Sequence, residues 1–189
     1  MPRVGLSKPR VVEAAARMVD AEGLAALTLN RLAAELGVRT PSLYKHINGL
    51  EDLRRELGLR AADLVAEACR SAAMGRAGVD ALVAVSDAFR RVVKAHPATY
   101  ALAQVARNDD EEWKRRTWAG VEPVLAILVG YGIEGEAAIH AARSLRAATF
   151  GFVTLELAGG FGLAEDPDDS YRYLVETLDA GLRAQAARG

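Results

Sequence analysis

The sequence predicts an all-α protein, and three observations carry that expectation. Alanine, leucine and charged residues run through most of its length, apolar positions recur at three- and four-residue spacing, and the β-branched alternation that a strand ladder needs is scarce. The 189 residues are 51% hydrophobic, ample for a real core in one large domain or two small ones.

The first helix is expected from about Pro9 to Ala21, with Val12, Ala16 and Val19 facing inward beside Ala15 and Met18, and Gly23 ending it. Ahead of it, MPRVGLS reads either as an arm whose Arg3, with Lys8 and Arg10, reaches phosphate or minor groove, or as a plain tail. Thr28 is a good N-cap for a second, short helix, on which Leu29, Leu32, Ala33 and Leu36 form one apolar stripe. Gly37 permits a left-handed turn there, with Val38 tucked inward. A third helix is expected at once, because Thr40 suits an N-cap and Pro41 the first helical position, where its missing N–H costs nothing.

Two short helices joined by a turn of three or four residues containing Gly are the signature of a helix-turn-helix, whose second helix enters the major groove. Ala33, Gly37 and Leu43 alone fit an ordinary αα-hairpin equally well. The exposed face separates the two readings. Arg39, Thr40, Ser42, Tyr44, Lys45 and His46 collect donors, a cation and an aromatic hydroxyl on the side that Leu43 and Ile47 leave outside, a set suited to phosphate and base contacts.

Asn48 is expected to cap a long helix over about 49–73, with Glu51 as its capping-box partner and Leu53, Leu57 and Val65 inward. MGRAGVD, residues 74–80, interrupts the pattern with two glycines and reads as a boundary. A helix from about Val79 to Ala95 carries Leu82, Val85, Phe89, Val92 and Val93, and His96-Pro97 ends it. TYALAQVARN forms a further helical piece. Asp109, Asp110, Glu111 and Glu112 then suit the positive end of a helix carrying Trp113, Trp118, Val121, Leu125 and Leu128, which Pro123 is expected to kink. The last two helices are expected from Glu134 to about Gly160 and from about Asp168 to Ala187.

The run VRTPSLYKHI followed by NGLEDL resembles the DNA-binding domain of TetR-family repressors, in which a Tyr-x-His run closes the recognition helix. Residues 9–36 resemble that family's first two helices, and FGFVTLELAGGFGL is similar to the penultimate helix of its WHG-type C-terminal subgroup. The resemblance implies a DNA-binding domain over residues 1–52 and a ligand-binding and dimerisation bundle over 53–189. Thr28, Arg39, Thr40, Pro41, Ser42, Tyr44, Lys45 and His46 are the residues expected at DNA. One departure is Leu50, where the family commonly has a phosphate-binding Lys, and whether Arg54 compensates is open at this stage.

The charge distribution agrees with that division. The whole chain carries a net −1, but residues 1–60 hold ten Lys/Arg against seven acids, a local +3, and the remainder is −4. Cys69 is the lone cysteine, which excludes an intrachain disulfide or a Cys-based zinc site, and it reads as a small buried hydrophobe more readily than as a redox sensor. His46, His96 and His140 stand apart from any nucleophile or metal spacing, and AMGRAG lacks the spacing of a phosphate loop. No enzyme, metal or cofactor is therefore expected. Nor is a signal peptide or membrane span, so the expected location is the cytoplasm.

Small residues on the penultimate helix (Ala141, Ala142, Ala147, Ala148, Gly151, Ala158) permit close approach, and Leu145, Phe152, Leu155, Leu174, Leu178 and Leu182 supply apolar area. A homodimer through the last two helices would bury more of these faces than one subunit does, and would suit a pseudo-palindromic operator; the alternative is packing within a monomer. The family also implies a small-molecule effector. Phe89, Tyr100, Trp113, Trp118, Val121, His140, Phe150 and Glu156 are the candidates to line its pocket, each with a core or surface alternative; Glu156 would pair with a cationic ligand, with Arg143 or Arg146, or with a partner subunit. The leading expectation is a ligand-responsive repressor of operator DNA. Its rivals are a helical small-molecule binding protein with a vestigial helix-turn-helix and, more distantly, a helical-bundle enzyme.

Overall fold

The computed structural model describes residues 5–105 and 107–187, and the protein is 76% helical, with no strand among the described residues. Arg3, assigned above to a DNA-reaching arm, lies outside them. The chain divides into two compact units, Met1–Ala62 with Ala95–Lys114, and Asp63–Lys94 with Arg115–Gly189.

In the first unit, α1 (Lys8–Glu22) ends at Gly23, whose N–H donates to Val19 and whose φ is +83°. The chain then turns through Leu24–Ala26 into α2 (Leu29–Glu35), with the Thr28 hydroxyl accepting the Arg31 N–H at 3.2 Å as an N-cap does. Val11, Ala15, Met18, Val19, Leu27, Leu32, Ala33, Leu43, Ile47, Leu53 and Leu57 form the core, against which Ala98 and Leu102 of α5 (Pro97–Leu102) also pack. Polar ties reinforce that packing: Asp20 on α1 accepts from the Thr99 hydroxyl at 3.0 Å and lies 2.7 Å from His96 Nδ1.

The long helix α3 (Leu50–Ala73) contributes to both units, and its start differs from expectation. Gly49, at φ +106°, occupies the position before the helix, and the Asn48 N–H donates to Asp52 at 2.8 Å. Moving the start one residue along puts Asp52, not Glu51, in reach of that N–H; Glu51 instead pairs with Arg54 at 2.6 Å.

Residues 74–77 join α3 to α4 (Gly78–Ala95) within the second unit, so the second glycine of the expected break opens α4. The acidic run Asp109–Glu112 does open a helix, α6 (Glu111–Trp118), with Asp110 accepting the Trp113 N–H. That helix does not continue through Pro123 as a kink. A turn at Ala119–Val121 breaks it, and Pro123 sits in the first turn of α7 (Glu122–Gly130), where proline is tolerated. The chain ends with α8 (Gly135–Leu157) and α9 (Pro167–Ala186).

Within the second unit, the Tyr171 hydroxyl of α9 donates to Ser86 O of α4 at 2.7 Å, and Tyr131 donates to Asp179 of α9 at 2.5 Å. Arg90 lies 4.6 Å over the Tyr171 ring. No single described helix is long and apolar enough to cross a membrane.

Candidate nucleic-acid interface

Gly37 takes φ +67°, a conformation that side-chain-bearing residues resist, and it turns the chain from α2 toward Thr40. The Val38 N–H donates to Ala33 O at 2.9 Å, so the turn is stitched to α2 rather than hanging from it. The segment expected as an α-helix is instead a 3-10 helix, Thr40–Lys45. Its bonds run over three residues, Ser42 N–H to Arg39 O and His46 N–H to Leu43 O, both at 2.8 Å. A segment of six residues has room for few four-residue bonds, and the tighter three-residue pattern is commonly used in such short pieces.

Thr40 does not act as the cap. Arg39 holds that position, and the Thr40 hydroxyl donates to Asn30 Oδ1 on α2 at 2.9 Å. Leu43 is fully buried and Ile47 nearly so, and these two pin the segment to the core. Fixing that face sets the other. Arg39, Pro41, Tyr44 and Lys45 are exposed, Tyr44 by 57%, while Thr40, Ser42 and His46 are half-buried beside them. Arg39 and Lys45 have no carboxylate partner among the described residues, so their charges are available to an outside anion. Thr28 is exposed at the start of α2, with its oxygen engaged in capping.

Leu50 packs against the core of this unit. Its departure from the family's basic residue therefore adds apolar packing where a phosphate contact is usual. Arg54 is bound by Glu51 and does not present a free cation in its place. Elsewhere in the unit Arg55 is held by Asp110, at 2.5 and 2.8 Å, and by Glu112 at 2.8 Å. These bonds keep its guanidinium well above its ordinary value and hold Asp110 well below the usual carboxylate range.

The eight effector candidates are divided between the two units. Tyr100 and Trp113 are buried in the first unit; the other six belong to the second. Phe89 is buried on α4, Phe150 and Val121 are half-buried, and Trp118 is half exposed. His140 is exposed on α8, 3.5 Å from Glu136. Glu156 is bound by Arg90, at 2.7 and 2.9 Å, and by Lys94, both on α4, where Arg143 or Arg146 was among the expected partners. The Arg90 bonds hold its carboxyl below the ordinary range. A cleft of about 400 Å³ does exist in the second unit, lined by Arg70, Met74, Arg76, Glu122, Pro123, Ile127 and neighbouring small residues, and none of the eight candidates lines it. Sequence reasoning missed both this cleft and Asn30. The two-glycine break at Gly75 and Gly78 beside Arg70 and Arg76 was the available signal for the first; nothing local pointed to the second.

Comparison with known proteins agrees with the geometry. Residues 11–57 match the model of the bacterial regulatory proteins of the tetR family, and residues 82–178 that of the tetracyclin repressor-like C-terminal domain. An uncharacterized HTH-type transcriptional regulator of Mycobacterium tuberculosis, Rv0681, is 36% identical over 97% of this chain and 85% of its own length. Among solved structures, a protein of unknown function from Rhodococcus sp. RHA1 superposes with a TM-score of 0.82 at 21% identity, covering 97% of this chain and 99% of that one. A TetR variant from Acinetobacter baumannii in complex with minocycline gives 0.73 at 22%, covering 96% and 99%. An exposed polar face pinned by Leu43 and Ile47, and two family domains that together cover most of the sequence, lead to one conclusion: the chain is a helix-turn-helix transcriptional regulator of the TetR family.

Proposed function

We propose that the protein is a homodimeric repressor that holds a pseudo-palindromic operator and releases it when a small molecule occupies its second unit. The observation that carries this reading is the division of labour over Arg39–Ile47: Leu43 and Ile47 are buried, while Arg39, Tyr44 and Lys45 are turned outward. Arg39, Tyr44 and Lys45 contact phosphates or bases, and Thr28, Thr40, Pro41, Ser42 and His46 complete the surface.

The homodimer reading is supported by α8 and α9. Ala147 and Leu155 on α8, Ala158 just after it, and Tyr173, Thr177, Ala180, Gly181 and Ala184 on α9, are exposed in the single chain. A Cβ placed on Gly151 or Gly181 would meet nothing within 4 Å, so the subunit's own packing does not require glycine there. A glycine inside a helix costs about 0.5–1 kcal/mol relative to alanine. Close approach of a second copy, two helices from each, gives that cost a purpose.

The effector acts by preferring the state that does not fit DNA. α3 is continuous from Leu50 to Ala73, so a displacement of its second half is carried to the residues that follow His46. Two recognition segments must match groove repeats of ~34–36 Å, and a small change in their separation costs affinity. The effector site lies among Phe89, Trp118, Val121, His140, Phe150 and Glu156 or in the cleft beside Arg70 and Arg76. Tyr100 and Trp113 serve the first unit's packing. The protein is not an enzyme in this reading, and it works in the cytoplasm, where the DNA is.

Footprinting of the full-length protein on the DNA flanking its own gene tests the reading. Protection of two inverted half-sites at moderate salt is expected. Binding without sequence preference would favour the rival reading, a helical small-molecule binding protein.

A further inference from the structure

Asn30 is the second residue of α2, ten positions before the recognition segment reaches Thr40, yet the two side chains meet at 2.9 Å. The direction of that bond matters. The Thr40 hydroxyl donates its proton to Asn30 Oδ1, so the carboxamide is held in one orientation with its Nδ2 turned away from Thr40. Asn30 is exposed, and among the described residues its Nδ2 has no partner. Its neighbour Arg31 is in a different situation: its guanidinium is closed onto Glu22 at 2.7 Å and Ala26 O at 3.3 Å.

What remains on Asn30 is one Oδ1 lone pair and both Nδ2 protons, side by side in a plane fixed by Thr40. That is an acceptor next to a donor. Adenine presents the complementary pair in the major groove, an N6 donor beside an N7 acceptor, and asparagine is among the few side chains that can meet both at once. A free carboxamide on a surface helix loses rotamer freedom when it does so. Here the ordering is already made by the Thr40 bond, and it is made at the first residue of the segment that faces the groove.

The geometry points to Asn30 as a base-reading residue of this regulator, specifying an adenine in each half-site, with Thr40 as the residue that orients its amide. Thr40, its proton committed, then acts toward DNA only as an acceptor. This places a specificity determinant on α2, outside the recognition segment itself.

The test uses the full-length protein and a randomised duplex library. The duplex that wild type enriches, and variants carrying each other base at every half-site position, are then measured by fluorescence anisotropy at two salt concentrations. Wild type is expected to lose on the order of tenfold or more when one particular adenine is replaced. Asn30→Ala is expected to bind the four duplexes differing there equally well, with the salt dependence unchanged. Asn30→Asp keeps the acceptor that Thr40 needs and removes the donor, so its preference is expected to move to cytosine, whose N4 donates. An unchanged base profile in Asn30→Ala would overturn the proposal. So would uniform weakening with a shallower salt slope, which marks a phosphate contact, or a wild-type profile with no adenine whose preference depends on residue 30.

Discussion

The Trp113 indole lies over Gly58 so closely that a Cβ on Gly58 would sit 2.5 Å from Cη2 of the ring. Both residues are buried, and the Leu102 carbonyl oxygen, 3.1 Å from the same point, closes the other side. The contact joins α3 to the start of α6 inside the unit that carries the helix-turn-helix. Gly58→Ala is therefore expected to destabilise by about 1–3 kcal/mol through overpacking, read as a lowered urea midpoint with an unchanged m-value. A midpoint equal to wild type would show that the indole moves aside freely.

The Arg55–Asp110 pair predicts an acid-sensitive contribution from the same unit. Asp110 is held below the ordinary carboxylate range by the Arg55 bond first and the Trp113 N–H second. A depressed native value means that its stabilisation is complete above the unfolded range, near pH 4, and is lost as pH falls from there toward the native value. Asp110→Asn should lower stability at neutral pH and flatten the acid limb of the stability–pH curve. Parallel curves for variant and wild type would exclude the linkage.

Cys69 is buried on α3 with its sulfur 4.0 Å from Val85 O, and burial pushes its thiol up to about 11. The reactive thiolate is thus scarce at neutral pH. Ellman's reagent should label the native protein far more slowly than the urea-unfolded chain, and DNA binding should withstand mild oxidation. Rapid labelling of the native protein would revive the redox-sensor reading.

Leu155 and Tyr173, the latter 73% exposed, test the dimer without touching the subunit core. Leu155→Glu with Tyr173→Glu should sediment as a folded monomer of unchanged helicity and should bind a half-site far more tightly than chance but a full operator no better than the half-site. A dimer with wild-type operator affinity would move the interface elsewhere.

The parts of this structure that were legible in the sequence are those governed by near neighbours. The Thr28 cap, the left-handed Gly37 and buried Leu43 each act within a few residues, and each sits as the pattern demands. The same local logic failed where two signals competed. Gly49 at φ +106° took the position that Asn48 was expected to hold, which handed the back-bond to Asp52, and Pro123 served a new helix start in place of a kink. Contacts across long stretches of chain left no local mark. Glu156 meets Arg90 and Lys94 from more than sixty residues away, and Trp113 joins the first unit although its helix continues into the second. Periodicity identifies both as inward or polar positions without naming the partner.

The central claim is that the Tyr44–Lys45 face reads operator DNA, and anisotropy titrations over a salt series test it most directly. Wild type, Tyr44→Phe and Lys45→Ala are compared on one enriched duplex. The account predicts weaker binding by both variants, with the lysine change alone reducing the salt slope by about one phosphate's worth. Affinity and slope unchanged in both variants, with helicity intact, would contradict it.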